Sequence, residues 1–196
     1  MKTPIQINLH KSNYSATPFP LIHSSAVLSP QLASNLLSWL ETYDSWNLIQ
    51  TDFYEQYEFN FQDANIPSHL NCFDDGTFNL AALKIMSEIF EVKLEDSVDI
   101  VAHKLTPGQK IGIHNDNLEG AETHRLIIQL NSGWREENGG YFMTFKSDDA
   151  RNIHQIVAPL HNSAIGFAIT ENSHHAVSTV HKSNRYTIVC SFKVKH

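Results

Sequence analysis

From Ser97 to the end of the chain, short apolar segments follow one another with no helical pattern between them, and this run restricts the fold more than any other feature. The segments SVDIVAHKL, QKIGIH, HRLIIQLN, GYFMTF, NIHQIVAP, SAIGFAI, HAVSTV and RYTIVCSF are rich in β-branched and aromatic residues. Turn signals such as TPG, NGG, HNS and KSN separate them. Strands in such number, without intervening helices, predict an antiparallel sandwich or jelly roll, a compact barrel with a mouth where side chains from several strands converge.

The first third has a different texture. SPQLASNLLSWLETY predicts a helix, with Ser29 as N-cap, Pro30 at the first helical position, and Leu32, Leu36, Leu40 and Tyr43 on one face. NLAALKIMSEIFEV predicts a second helix starting at Asn79 and carrying Leu83, Met86 and Phe90. Both helices would buttress one sheet. The aromatic-rich stretch between them, with Trp46, Phe53, Tyr54, Tyr57, Phe59 and Phe61, suits a strand pair, a cover over a cleft, or ordinary core packing. A chain of 196 residues is most simply one domain, with 1–96 as a helical and aromatic flank and 97–196 as the jelly-roll core.

Composition excludes more than it names. With 14 Lys+Arg against 21 Asp+Glu and a net charge of -7, the chain lacks the basic surplus expected of a protein that holds phosphate backbones. Its two cysteines, Cys72 and Cys190, are far apart in sequence, which argues against a disulfide framework or thiolate zinc site and suits a reducing cytoplasm. The N-terminal residues lack the continuous apolar core of a signal peptide, and no run approaches a membrane span. Twelve histidines are an excess, and most of them belong to surface or packing.

One pair of polar residues carries chemistry. In IGIHNDN, residues 111–117, His114 and Asp116 stand at i and i+2, so on a strand they point to the same side of the sheet and reach one ion. Alone, such a pair is most often a capped turn. The C-terminal stretch SHHAVSTVHKSNRYTIVCSF offers His174, His175 and His181 as a third ligand, and Arg185 opens the last strand. Two histidines and one carboxylate with open coordination positions are the facial triad of non-haem Fe(II) oxygenases.

The region from about 98 to 193 resembles the 2-oxoglutarate-dependent Fe(II) oxygenase superfamily, and within it the prolyl-hydroxylase branch. TPGQKIGIHND resembles the family's Pro-Gly turn and His-x-Asp pair. IIQLNSGWREENGGYFMTF resembles its Leu-Asn strand end, loop and paired glycines, and HAVSTVHKSNRYTI its distal His-x-Val followed ten residues later by a basic residue. The likeness covers about half of the chain and implies a double-stranded β-helix, or cupin-like jelly roll. It implies His114, Asp116 and His175 as iron ligands, with His174 facing the other side of the strand. Arg185 would hold the distal carboxylate of 2-oxoglutarate with a bidentate fork, and Thr187 would add a hydroxyl.

Two departures affect detail. Leu105 and Thr106 stand where many prolyl hydroxylases have a tyrosine, and Gln129 replaces a cosubstrate-binding tyrosine while keeping a donor for a carboxylate. The resemblance implies Fe(II), 2-oxoglutarate and O2 as cofactor and cosubstrates, with succinate and CO2 released and an unactivated C–H bond of an amino-acid residue hydroxylated. The residue would lie in a peptide or protein, or be a free or carrier-bound amino acid. Asp116 favours hydroxylation over halogenation, because halogenating relatives lack that carboxylate.

Arg125 shares strand parity with Gln129 and is a candidate to meet an acidic substrate group, and Trp134, in the loop before Gly139-Gly140, is a candidate to flank the substrate. The glycines also suit a plain hairpin. His103, His124, His154, His161 and His181 read as surface or packing, and Cys190 as core. An oxidative nucleic-acid demethylase is the alternative within the superfamily, but its second arginine, six positions after the first, is Ser191 here. A cupin-like protein binding a metal or small acid without turnover is the non-enzyme alternative.

Overall fold

The computed structural model describes residues 5–195. Along the chain run β1 (Tyr14–Ser15), β2 (Leu21–Ser25), α1 (Pro30–Thr42), β3 (Asn47–Gln50), β4 (Glu55–Asn60), α2 (Thr77–Phe90), β5 (Asp99–Leu105), β6 (Ile111–His114) and β7 (His124–Gln129). They are followed by β8 (Phe142–Phe145), β9 (Ile153–Val157), β10 (Ser163–Ala168), β11 (His175–Val177) and β12 (Arg185–Phe192). Each apolar segment expected after residue 97 forms a strand, β5 to β12.

The strands form two antiparallel sheets, one in the order β1-β2-β10-β7-β12-β5-β4-β3 and the other in the order β6-β11-β8-β9. Two apolar clusters show how the layers stack. In β7, Leu126 and Ile128 join the cluster that includes Leu36 and Leu40 of α1 and Phe78 and Met86 of α2, while Ile127 joins a second cluster with Phe142 of β8 and Val177 of β11. β12 repeats the alternation, Ile188 and Cys190 to the helices and Val189 to the smaller sheet. The two-residue period of a strand therefore sorts β7 and β12 between two buried faces. The result is helices, large sheet, small sheet, a mainly β jelly-roll-like arrangement.

The first third departs from the expected flank in two ways. It supplies four strands to the large sheet: β2 pairs with β10 at one side, and β4 pairs with β5 at the other. The aromatic stretch is thus a hairpin, β3–β4, whose Phe59 packs with Trp39, Tyr43 and Trp46. The second difference is where α2 begins. Ser29 caps α1 as expected, its Oγ accepting from the Leu32 N–H at 3.3 Å. Helix α2, however, starts at Thr77 rather than Asn79. Gly76 at φ 75 reverses the chain, and Asp75 Oδ1 accepts from the Thr77 N–H at 3.1 Å, so the first turn is organised before Asn79 is reached. Among the described residues no helix is long and apolar enough to cross a membrane.

Candidate metal centre and cleft

A cleft of about 220 Å³ opens between the two sheets, with the β3–β4 hairpin on its rim. Its apolar wall includes Ile127, Phe142, Val177 and Val189, and its polar lining includes His114, Asp116, Arg125, His175 and Arg185.

His114 is the last residue of β6 and His175 the first of β11, and the two stand opposite each other in the antiparallel register. Asp116 is not on the strand, contrary to the parity reading. It lies two residues beyond His114 with φ 58, in the left-handed region that Asp adopts more readily than most residues. This turn swings the carboxylate back toward both rings. One ligand atom from each of His114, Asp116 and His175 lies within 4.8 Å of the others.

Hydrogen bonds decide which ring nitrogens face the cleft. His114 Nδ1 sits 2.9 Å from the Gly112 carbonyl and His175 Nδ1 2.7 Å from that of Ser173. A carbonyl only accepts, so each Nδ1 carries the proton and each neutral ring turns an Nε2 lone pair toward Asp116. Those Nε2 atoms lie 3.3 Å from Asp116 Oδ1 and 3.1 Å from Oδ2. Three acceptor groups thus converge, and only a proton or a cation between them removes the repulsion. Burial lowers the pKa of His175 and so opposes the proton. The donor set fits a metal ion.

Ser173 is a further residue of the site. Fully buried, it supplies the carbonyl that orients His175, and its Oγ lies 2.7 Å from the Asn115 carbonyl beside Asp116. It ties the two ligand-bearing segments together, and nothing in the pattern SHHAV marks it. Burial alone would raise the Asp116 pKa. The charge of Arg125, which donates to the carboxylate, works against it and keeps the carboxyl well below its usual range.

Arg125 lines the cleft, as parity expects, but its guanidinium is already engaged. Nη1 donates to Asp116 Oδ2 at 2.6 Å, Nε to Glu122 Oε2 at 3.2 Å, and Nη2 to Glu122 Oε1. It braces Asp116, and an acidic substrate group would have to compete with two carboxylates. Trp134 does not line the cleft. Its Nε1 donates to the Gly139 carbonyl at 3.0 Å, closing the loop. Gly139 and Gly140, with φ 68 and 66, do more than turn a hairpin. A Cβ on Gly139 would come within 2.1 Å of the Thr179 carbonyl oxygen, and one on Gly140 within 3.0 Å of the Arg185 Cδ. Their smoothness lets this loop close over the stem of Arg185.

Arg185 is 3% exposed, its Nε has no partner, and none of the ion pairs among the described residues includes it. Burial pushes its pKa down to about 9. Gln129 is fully buried with both Oε1 and Nε2 unpartnered, and Thr187 faces it across the β7–β12 pairing. A buried cation without a counter-charge costs several kcal/mol. An unmet amide costs about 1–3 kcal/mol more. The donors of Arg185 and Gln129 are the complement of a carboxylate. His103, expected at the surface or in packing, also lines the cleft, whereas His124 packs against Phe90. His174 is not part of the ligand cluster.

Residues 100–193 match the 2OG-Fe(II) oxygenase superfamily, a span that contains His114, Asp116, His175 and Arg185. No curated protein matches the chain in sequence. Among solved structures, the fold is similar to a Pseudomonas putida prolyl-4-hydroxylase, at 16% identity and a TM-score of 0.74, covering 90% of this chain and 93% of that one. It is similar to a Trichoplax adhaerens prolyl hydroxylase in complex with a hypoxia inducible factor oxygen degradation domain peptide, at 8% identity and a TM-score of 0.71, covering 88% and 83%. A third is the viral collagen prolyl hydroxylase of Paramecium Bursaria Chlorella virus-1 in its 2OG complex, at 14% identity and a TM-score of 0.64, covering 88% and 94%.

Proposed function

Because this chain belongs to the 2OG-Fe(II) oxygenase superfamily, whose enzymes work with Fe(II), 2-oxoglutarate and O2, we propose that it hydroxylates an unactivated C–H bond of an amino-acid residue. The iron is held by His114, Asp116 and His175, and 2-oxoglutarate by Arg185, Gln129 and Thr187. One observation carries the reading: a three-ligand cluster and a buried, unpaired guanidinium share a single cleft. Three protein ligands leave coordination positions open for a cosubstrate and O2.

Bound together, the iron and 2-oxoglutarate supply the oxidising power, with succinate and CO2 as co-products. The chain's own residues position and shield. The carbonyls of Gly112 and Ser173 fix the tautomer and orientation of both histidines, which keeps Nε2 free for the metal. Arg125 takes part of the Asp116 carboxylate, which steadies its anionic form. Arg185 offers a fixed fork to a carboxylate, and Gln129 an amide donor beside it. The apolar wall of Ile127, Phe142, Val177 and Val189 keeps water from the reacting centre. The substrate is taken to be a peptide or protein residue, in keeping with the peptide named with the Trichoplax enzyme, or a free or carrier-bound amino acid.

Anaerobic titration of the Fe(II)-loaded protein with 2-oxoglutarate tests the reading. A weak visible charge-transfer band is expected, followed by succinate on admission of air. No band and no succinate would refute it.

A further inference from the structure

We infer that the cleft is built for a substrate bearing a positive charge, an ammonium or guanidinium group received by the carboxylate of Glu58. This rests on the oxygenase reading and adds to it the chemical class of the substrate.

The sheet register places Glu58. It pairs across from His103, His103 from Thr187, and Thr187 from Gln129. The four side chains therefore form one row across β4, β5, β12 and β7, on the face that lines the cleft. Thr187 and Gln129 belong to the end assigned to 2-oxoglutarate. Glu58 stands at the other end, below the rim formed by Phe53 and Tyr54.

Among the described residues no cation answers this carboxylate. Glu58 Oε2 accepts from Gln56 Nε2 at 3.1 Å and lies 3.8 Å from His103 Nε2. Burial, and then the charges of Arg125 and Arg185, keep His103 neutral, with a pKa near 3. Lys104, its neighbour in sequence, turns to the other face, its ammonium 4.5 Å from the Trp46 ring centroid and 4.7 Å from that of Tyr57. None of the ion pairs among the described residues joins Glu58 to Lys or Arg.

Gln56, buried beside it, leaves Oε1 without a partner. Gln56 Oε1 lacks a donor and the Glu58 carboxylate has only the Gln56 amide, so a cation with several N–H groups beside the Phe53 and Tyr54 rings completes both. Arg125, the candidate on β7, is already engaged by Asp116 and Glu122, so its charge does not answer Glu58. An uncompensated charge in a cleft selects for an opposite one and against neutral or acidic competitors.

The test uses the anaerobic Fe(II)·2-oxoglutarate protein and calorimetric titration with four compounds. N-acetyl-lysine amide and N-acetyl-arginine amide carry only a side-chain cation. Norleucine amide carries only an α-ammonium, and N-acetyl-norleucine amide has no cation. At least one cationic compound should bind more tightly than the uncharged one, and Glu58→Gln should weaken it by about tenfold or more. The cationic compound that responds identifies the source of the charge. Failure of every cationic compound to bind, equal binding by the uncharged compound, or unchanged binding in Glu58→Gln overturns the inference. The charge-transfer band, recorded before any compound is added, separates the two levels. Its absence from the wild type refutes the oxygenase reading, whereas its presence without any preference for cations refutes this inference alone. Retention of the band in Glu58→Gln shows that the variant is folded and loaded.

Discussion

The two faces of strands β7 and β12 are both largely buried and opposite in consequence. Toward the helices they present Leu126, Ile128, Ile188 and Cys190, apolar groups in a closed cluster with α1 and α2. Toward the other side, one residue along, they present Arg125, Arg185 and Thr187, which line the cleft, and Gln129, which is paired with Thr187 behind it; two of these four keep polar atoms unpartnered. On the first face burial stabilises the chain, by roughly 25 cal/mol per Å² of apolar surface. On the second it works against the ligand-free chain and adds to the affinity for whatever satisfies those groups. A single step along a strand separates a residue that supports the fold from one that recruits a ligand.

Substitutions on the two faces can break or sharpen that contrast. The largest effect is expected from His175→Ala, which removes one of the three proposed iron ligands. Iron binding, followed by equilibrium dialysis, should weaken more than the roughly 10–100-fold typical of losing a partner behind a ligand. Next comes a matched pair. Arg185→Met should weaken 2-oxoglutarate binding by about 30-fold or more, the cost of removing one partner of a buried charge pair. It should also stabilise the ligand-free protein by about 1–4 kcal/mol in denaturant melts. Ile188→Ala should destabilise by about 2–5 kcal/mol and leave 2-oxoglutarate affinity within about twofold. If both variants destabilise alike, the two faces are equivalent and the contrast fails.

Ser173→Ala should keep the carbonyl that orients His175 but lose the tie to Asn115, lowering iron affinity about tenfold. The smallest effect concerns pH. His103 has a pKa near 3 in the folded chain against 6.5 as its ordinary value. Below pH 6.5 the unfolded chain takes up a proton that the folded one refuses. Stability is therefore full above that pH and falls on acidification, by up to about 1.4 kcal/mol per pH unit. In His103→Gln, melts between pH 5 and about 6.5 should show a shallower slope; an unchanged slope would mean that His103 is charged in the fold.

How much of this was legible depended on whether a feature is local. The strands after residue 97 announce themselves by alternation and turn residues, and α1 by Ser29 and Pro30, because those signals act over a few neighbouring positions. Strand β2, with Leu21 and Ile22 both buried and no polar alternation ahead of Ser24, carries no such mark and is defined by its pairing with β10. The three residues that cluster at the candidate metal centre were legible as spacings, yet the reason Asp116 reaches the two histidines was not. It is a left-handed turn rather than strand parity. His103, Glu58 and Ser173 take their meaning from partners far away in sequence, so no window along the chain shows them. The engaged state of Arg125 is of the same kind: parity aims it correctly, but only the fold brings Glu122 and Asp116 to its fork.

The pairing of His114 with His175 has a further consequence. Their separation is set by the spacing between neighbouring strands of a sheet, about 4.7–4.9 Å in the hydrogen-bonding direction, which is nearly the same in all proteins. It does not depend on how many residues join them. The connecting chain can therefore lengthen, shorten or change its loops without retuning the distance between the two rings. Variation in what the cleft accepts is thereby uncoupled from the means by which it holds a metal.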